Sequence, residues 1–382
     1  MKVLLIGGTG IISKEVCRIS LEMGYEVFVL NRGKSKEHLL TGASLIEGDV
    51  RLESVSELRK KISNDYDVIV DFITYNEEQL KKTINFIKGM SKQYIYISSA
   101  TVYSKCLSKN ERYVETDPID NPNWYYTIDK SKCEHWLEEN DIGMPYTIIR
   151  PYVTYGETRI PFQINTGDYF TLLNRILCDK PILISGKNKK CTLTYAKDFA
   201  FGVVGLFLNE KAQNEAFHIT TDEEMTWEKC IKIIGEKIGK EVRLIDIPID
   251  QLKKYNCDLI NIEELIADKG RDNRFDNSKI KNAVPNFEAN TSFEEGIEQS
   301  IKYYLYKKTK INYSWDAQID RIIGRYLGKN ARNEKIFIND YSKKMNNTEK
   351  KEYIMNRYML FVLCSKALCF LHKKIKKISK KY

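Results

Sequence analysis

"KVLLIGGTGIIS" occupies residues 2–13, and its reading decides the fold. Five mostly apolar residues run as a strand into a glycine cluster, and a helical pattern follows. Gly7 permits a sharp turn, Gly10 lets the backbone close on a phosphate, and the first amides of the helix point their partial positive charge at it. A third glycine usually allows helix and strand to pack tightly. Ser13 stands there instead, small enough to replace it and able to cap the helix. A lone glycine match is weak, but strand, GGTG, helix and second strand within about 30 residues are the arrangement the mechanism needs. The competing reading is a βαβ unit that binds no nucleotide.

Working outward, short β-rich runs alternate with helical patterns up to about residue 150: "EVFVL" (26–30), "SLIEG" (44–48), "DVIVDF" (67–72), "QYIYIS" (93–98) and "YTIIR" (146–150). That alternation predicts an α/β fold, a Rossmann-type doubly wound parallel sheet with helices on both faces. The first helix is expected from Ser13 to Met23, ending at Gly24 as C-cap. From 151 to 329 the periodicity is less regular, with helices expected near 169–178 and at "TWEKCIKIIGEKIGK" (226–240). This reads as a smaller C-terminal substrate lobe interleaved with the end of the sheet. "SWDAQIDRII" (314–323) begins a further amphipathic helix.

Residues 330–382 form a third segment. They carry 14 Lys or Arg against 4 Asp or Glu, whereas 1–329 carry 47 against 48, so the formal net charge of +9 belongs to the tail. Its stretch "IMNRYMLFVLCSKALCFLH" (354–372) is nearly apolar and ends in "KKIKKISKKY". It is short for a membrane span, which needs about 20 apolar residues, and suits either burial against protein or a peripheral contact with an anionic membrane surface. A chain ending at Lys329 is then expected to stay soluble and active. Nine scattered cysteines without Cys-x-x-Cys spacing indicate neither a disulfide framework nor a zinc site. The strand at the very N-terminus leaves no room for a signal segment, and a cytoplasmic protein is expected. The four histidines, His38, His135, His218 and His372, lie apart from one another, and no metal is expected. Self-association into a dimer is left open, and a neutral body disfavours nucleic acid as partner.

Where the second strand ends, a carboxylate suits the ribose of NAD and an arginine suits the 2′-phosphate of NADP. Here Asn31 and Arg32 stand, with Lys34 and Lys36 close by, which favours NADP over NAD. Asp49, in "EGDV", is placed for the adenine edge. Ile11, Ile12, Val50 and Phe72 are also expected against the cofactor. Strand five ends "YISSATVY", and 27 residues after Ser99 comes "WYYTIDKSKCEHW". Tyr126 and Lys130 are four apart and share a helix face. An ammonium beside a phenol lowers its pKa, so that the phenol can exchange a proton with an alcohol or ketone while Ser99 hydrogen-bonds the same oxygen. Three further Tyr-x-x-x-Lys pairs, at Tyr303, Tyr304 and Tyr306, are expected on the surface of a late helix. Ser99, Tyr126 and Lys130 are therefore the candidate catalytic set.

On "GGTGIIS", "GDV", "ISSATVY", "YTIDKSKCE" with Glu134 four after Lys130, "RPYVTYG" (150–156) and "FDNSKIKNAVPNF" (275–287), residues 1 to about 305 resemble an extended short-chain dehydrogenase/reductase of the NAD-dependent epimerase/dehydratase family. The resemblance implies Ser99, Tyr126 and Lys130 as catalytic, with Gly7, Gly10, Arg32, Asp49 and Pro151 near NAD or NADP. It implies an epimerase or ketoreductase acting on a sugar, in particular a nucleotide sugar. Three departures bear on this. The Asp-Glu pair of the family's dehydratases is Ala100 and Thr101 here, which disfavours water elimination. Val153 replaces the asparagine that helps many epimerases hold their substrate. "VLNRG" resembles a branch that includes chloroplast RNA-binding proteins, so a non-catalytic binding protein for RNA or regulation is the alternative.

Overall fold

The computed structural model describes residues 1–34, 38–62, 65–165, 167–255, 260–307, 309–328, 341 and 345–357. The apolar part of the tail, from residue 358 on, lies outside the described residues, as does Lys36. Six strands follow one another: β1 (Lys2–Ile6), β2 (Glu26–Asn31), β3 (Ser44–Glu47), β4 (Tyr66–Asp71), β5 (Ser91–Ile97) and β6 (Tyr146–Arg150). A seventh, Glu215–His218, completes a parallel sheet in the order Glu215–His218, β6, β5, β4, β1, β2, β3. Helices α1 (Ile11–Glu22), α2 (Val55–Lys61), α3 (Glu77–Ile87) and α4 (Tyr125–Glu139) are the crossovers.

Covered on both faces, the strands need apolar residues on both, hence their nearly continuous apolar runs. Alternate residues go to opposite sides. Val3, Leu5, Val27, Val29, Val68 and Val70 join α1 and the helix Ala196–Gly205 in one core, while Leu4, Ile6, Leu30, Ile69, Tyr94 and Tyr96 join α2, α3 and α4 in the other. The chain runs from β1 outward through β2 and β3, then returns to the other side of β1 as β4. This reversal is where open α/β sheets hold their ligands, beyond the carboxyl ends of the strands.

Two compact units divide the chain. The first comprises Met1–Pro161, Asn188–Cys230 and Glu263–Tyr303, and contains the whole parallel sheet; the second comprises Phe162–Lys187, Ile231–Ile262 and Tyr304–Tyr382. The partition thus runs through 151–329, and the strand Glu215–His218 from that region extends the first unit's sheet beyond β6.

Within the second unit, four ionised groups are buried together. Arg175 Nη1 pairs with Asp316 Oδ1 (2.5 Å) and Asp320 Oδ1 (2.9 Å), and Lys180 Nζ pairs with Asp316 Oδ2 and Asp320 Oδ2 at 2.6 Å each. Tyr353 donates its hydroxyl to Asp320 Oδ2 (2.5 Å), and the Lys180 ammonium lies 4.2 Å from the centre of the Tyr341 ring. Tyr313, Ala317, Tyr341, Met345 and Tyr353 form the apolar wrap of this cluster. The described residues Tyr341, Met345 and Tyr353 thus help to seal the buried charges, and ending the chain at Lys329 would remove that part of the seal. The helix Phe293–Lys307 carries Tyr303, Tyr304 and Tyr306, but only Tyr306 is well exposed; Tyr304 is buried, its ring edge-on to Tyr169 at 5.8 Å.

Candidate functional site

Two adjoining clefts lie in the first unit. One, of about 350 Å³, is lined by the glycine turn (Gly7, Gly10), the start of α1 (Ile12, Ser13), the end of β2 (Asn31, Arg32, Lys34), and Asp49, Val50, Arg51 and Phe72. The other, of about 340 Å³, shares Ile12, Phe72 and Tyr75 with the first and continues to Ile11, Ser99, Tyr126, Lys130, Pro151 and the segment Glu264–Lys269. Ser99, Tyr126 and Lys130 and each residue expected against the cofactor line one cleft or the other, Lys36 lying outside the described residues.

The turn is built for close approach. Gly7 has φ +89°, and a Cβ there would fall 2.2 Å from Ile73 Cγ2, so neither backbone nor space admits a side chain. Gly10 is the N-cap of α1 and has no side chain to satisfy the first-turn amides. The helix begins at Ile11, two residues earlier than expected. Ser13 explains how a third glycine is dispensed with. It is fully buried, its Oγ accepts from Gly10 N (2.8 Å) and donates to Gly10 O (3.3 Å), and so it fastens the turn to the helix instead of merely leaving room.

At the end of β2 the side chains separate by role. Asn31 Oδ1 accepts from Gly33 N (2.8 Å), holding the loop in an Asx turn. Arg32 and Lys34 are exposed and line the cleft together with Arg51, whose guanidinium lies 5.5 Å from the centre of the Tyr75 ring. Asp49 Oδ1 accepts from Arg51 N (3.0 Å), which shapes the loop after β3.

Ser99 follows β5, and its Oγ accepts from Thr101 Oγ1 (3.0 Å). The neighbouring Ser98 points elsewhere, donating to Glu134, which is itself clamped by Arg150 through Nε (2.9 Å) and Nη2 (2.7 Å). Glu134 thus anchors α4 to β5 and β6, and its fully buried charge is matched by a guanidinium. On α4, Lys130 Nζ donates to the carbonyls of Thr74 (2.7 Å) and Ile97 (2.8 Å) and lies 5.9 Å from the centre of the Tyr126 ring. Burial pulls this amine down to about 8. Burial also pushes the Tyr126 phenol up to about 12, opposed by the Ser99 hydroxyl and by Arg159. The expected lowering of the phenol by the lysine is not what the structure shows. The ammonium is spent on two backbone carbonyls one turn away, and desolvation dominates at the phenol. At neutral pH Tyr126 therefore holds its proton.

Sequence reasoning missed several lining residues. Tyr75 packs on Tyr126 with ring centres 6.1 Å apart, and Trp124 does so at 4.8 Å. Tyr152, Arg159, Glu264, Asp268 and Lys269 also line the second cleft. Tyr75 follows β4 directly, so its position at a strand's carboxyl end was a usable signal. Asp268 lies well over a hundred residues from Tyr126, with no motif to tie them.

The family model for the NAD dependent epimerase/dehydratase family matches residues 3–220. A chloroplast stem-loop binding protein of 41 kDa from Arabidopsis thaliana is 26% identical over 253 residues, 62% of this chain and 63% of that protein's length. Among solved structures, Pal from Bacillus thuringiensis is similar with a TM-score of 0.65 and 19% identity, over 80% of this chain and 100% of that one. A UDP-glucuronic acid 4-epimerase from Bacillus cereus, solved with UDP-glucuronic acid and NAD, has a TM-score of 0.63 and 20% identity over the same shares. The structural likeness carries the fold, and the model match spans more than half of the sequence. The chain belongs to the NAD-dependent epimerase/dehydratase family.

Proposed function

We propose that the protein is an NAD(P)-dependent epimerase or ketoreductase acting on a sugar, and that this sugar is nucleotide-linked. The observation that carries this reading is the juxtaposition of Ser99, Tyr126 and Lys130 in a cleft that continues into the glycine-turn cleft. A nicotinamide dinucleotide fits the first cleft on three grounds: a turn where a Cβ is excluded, first-turn amides of α1 without a side-chain cap, and cations at the far end. Gly7, Gly10 and the start of α1 would hold its pyrophosphate, Asp49 and Val50 its adenine, and Arg32 with Lys34 its ribose end. When bound it supplies the hydride acceptor or donor and, in its oxidised form, a positive ring.

The chain's own groups then divide the work. Tyr126 keeps a proton on its hydroxyl for transfer to a sugar oxygen, and Ser99 hydrogen-bonds that oxygen and fixes its position. Lys130, held on two carbonyls, keeps α4 in register with β4 and β5 and places a positive charge beneath the site. Phe72, Tyr75 and Trp124 supply apolar walls that limit water. The similarity to a stem-loop binding protein favours RNA binding as a second reading; the assembled Ser99, Tyr126 and Lys130 weigh against it, because a binder has no need of an acid/base group.

The test is to denature the purified protein and identify any released dinucleotide, then to follow UDP-glucose and UDP-glucuronic acid by NMR with NAD or NADPH supplied. Bound or titratable dinucleotide with a changed sugar supports the reading. RNA retention in a gel shift with no dinucleotide affinity would overturn it. Arg32 also carries the preference for NADP over NAD. Arg32→Asp is expected to move the ratio of the two dissociation constants toward NAD by at least about tenfold, since a phosphate partner becomes a ribose partner. Fluorescence titration of both cofactors checks this, and an unchanged ratio would mean Arg32 points away from the ribose.

A further inference from the structure

β4 ends on an acid to which the proposed chemistry gives no part. Asp71 is fully buried, and among the described residues no cation touches its carboxylate directly. Four donors converge on it instead. Oδ1 accepts from Ile73 N (2.9 Å) and Thr74 N (3.1 Å), and Oδ2 accepts from Thr74 Oγ1 (2.6 Å) and the Tyr94 hydroxyl (3.0 Å). These bonds fold the chain after β4 back on the end of its strand, and that stretch carries Phe72 and Tyr75, which line both clefts. Thr74, bound to Asp71 through its amide and its hydroxyl, presents its carbonyl to Lys130 Nζ (2.7 Å), and Tyr75 packs on Tyr126. One threonine therefore links the carboxylate to the ammonium.

A buried ammonium needs an opposite charge, and the other groups around Lys130 do not supply one. On α4, Glu134 is already matched by Arg150, and burial pushes the Cys133 thiol up to about 11 and the Tyr126 phenol up to about 12. On β5 the Tyr96 ring centre lies 4.7 Å from the ammonium, and burial pushes its phenol well above the usual range; after β4, Tyr75 offers its ring at 5.3 Å. Asp71 is left, and its four donors favour the charged form. We infer that Asp71 is a positioning residue for the acid/base pair: through Thr74 it fixes Lys130 beside Tyr126, and it supplies the counter-charge for that ammonium. This rests on the function proposed above and deepens it, because the charge that Lys130 brings to the site then depends on a residue lining neither cleft. Burial pulls the Lys130 amine down to about 8 while Asp71 opposes the fall, so neutralising the acid lets the amine drop further.

The test is Asp71→Asn, which keeps the size of the side chain and removes its charge. Asp71→Ser is a second neutral variant, whose hydroxyl can still accept from the backbone amides that follow β4. Circular dichroism verifies the fold of each. With lysine labelled by 13C at Cε, the Lys130 signal is identified by its loss in Lys130→Arg, and its titration is followed by NMR in the cofactor-free protein. The midpoint is expected to fall by about one pH unit or more in either neutral variant. The alkaline limb of turnover should move with it: for a one-unit fall from about 8, kcat drops about fivefold at pH 8 and less than about twofold at pH 6. An unmoved midpoint, with turnover unchanged or lowered equally at every pH, would make Asp71 a structural end to β4 and overturn the inference. A midpoint that moves while the alkaline limb stays would overturn its part in turnover. If the wild type turns over neither UDP-glucose nor UDP-glucuronic acid with either cofactor, the functional reading loses its support, and the NMR midpoint still decides whether Asp71 is the counter-charge of Lys130.

Discussion

Tyr126→Phe is expected to lower turnover by at least about a hundredfold, the usual scale for loss of a general acid or base, and to leave dinucleotide affinity nearly intact. The hydroxyl is the only atom removed. The ring keeps its contacts with Trp124 and Tyr75, and α4 keeps Lys130 on the Thr74 and Ile97 carbonyls. The loss should therefore appear in kcat, with little change in the cofactor's dissociation constant. Steady-state rates and fluorescence titration on the same preparation make the comparison. Turnover within a few-fold of wild type would remove Tyr126 from the chemistry. Ser99→Ala provides a graded contrast, because it withdraws a hydrogen bond to the same oxygen without removing the transferable proton.

The largest expected effect on stability belongs to Arg175→Met in the second unit. The substitution keeps much of the side-chain volume but leaves Asp316 and Asp320 with Lys180 as their only cation among the described residues, in a site where all four groups are 0–1% exposed. Breaking a buried pair from one side costs about 3–5 kcal/mol, because the stranded charge keeps its full desolvation penalty. Scanning calorimetry should show a clearly lowered transition. An unchanged one would mean that water reaches the cluster. Acid provides an independent check. Burial opposes ionisation of Asp320, yet Lys180 and Arg175 hold its carboxyl below the usual range. The stabilisation is then fully present above an unfolded-state pKa of about 4 and is lost as pH falls through the lower folded value. Tyr353, which donates to Asp320, ties the described end of the chain to the same balance.

The elements that sequence reasoning located are those whose cause is local. The parallel strands show as apolar runs because each strand buries both faces, and the six expected runs match β1–β6 to within two residues at their ends. The glycine turn is legible for the same reason: Gly7 needs a positive φ whatever lies elsewhere in the chain. Tyr126 and Lys130 could be paired because one helix turn sets their spacing.

What remained illegible depends on segments that meet only in the folded chain. No local pattern announces that Glu215–His218 adds to β6, that Lys130 finds two carbonyls, or that burial pushes the Tyr126 phenol up. The partners of Arg175 lie about 140 residues away, and Asp268 reaches the Tyr126 cleft from a turn beyond the last sheet strand. The amino-acid order by itself determined the dinucleotide-type α/β sheet and the candidate acid/base pair, because periodicity, turn geometry and helical spacing act over a few residues. The tertiary structure alone decided which buried charges are matched and in which direction each pKa moves. Those quantities depend on desolvation and on neighbours that packing brings together from distant parts of the chain.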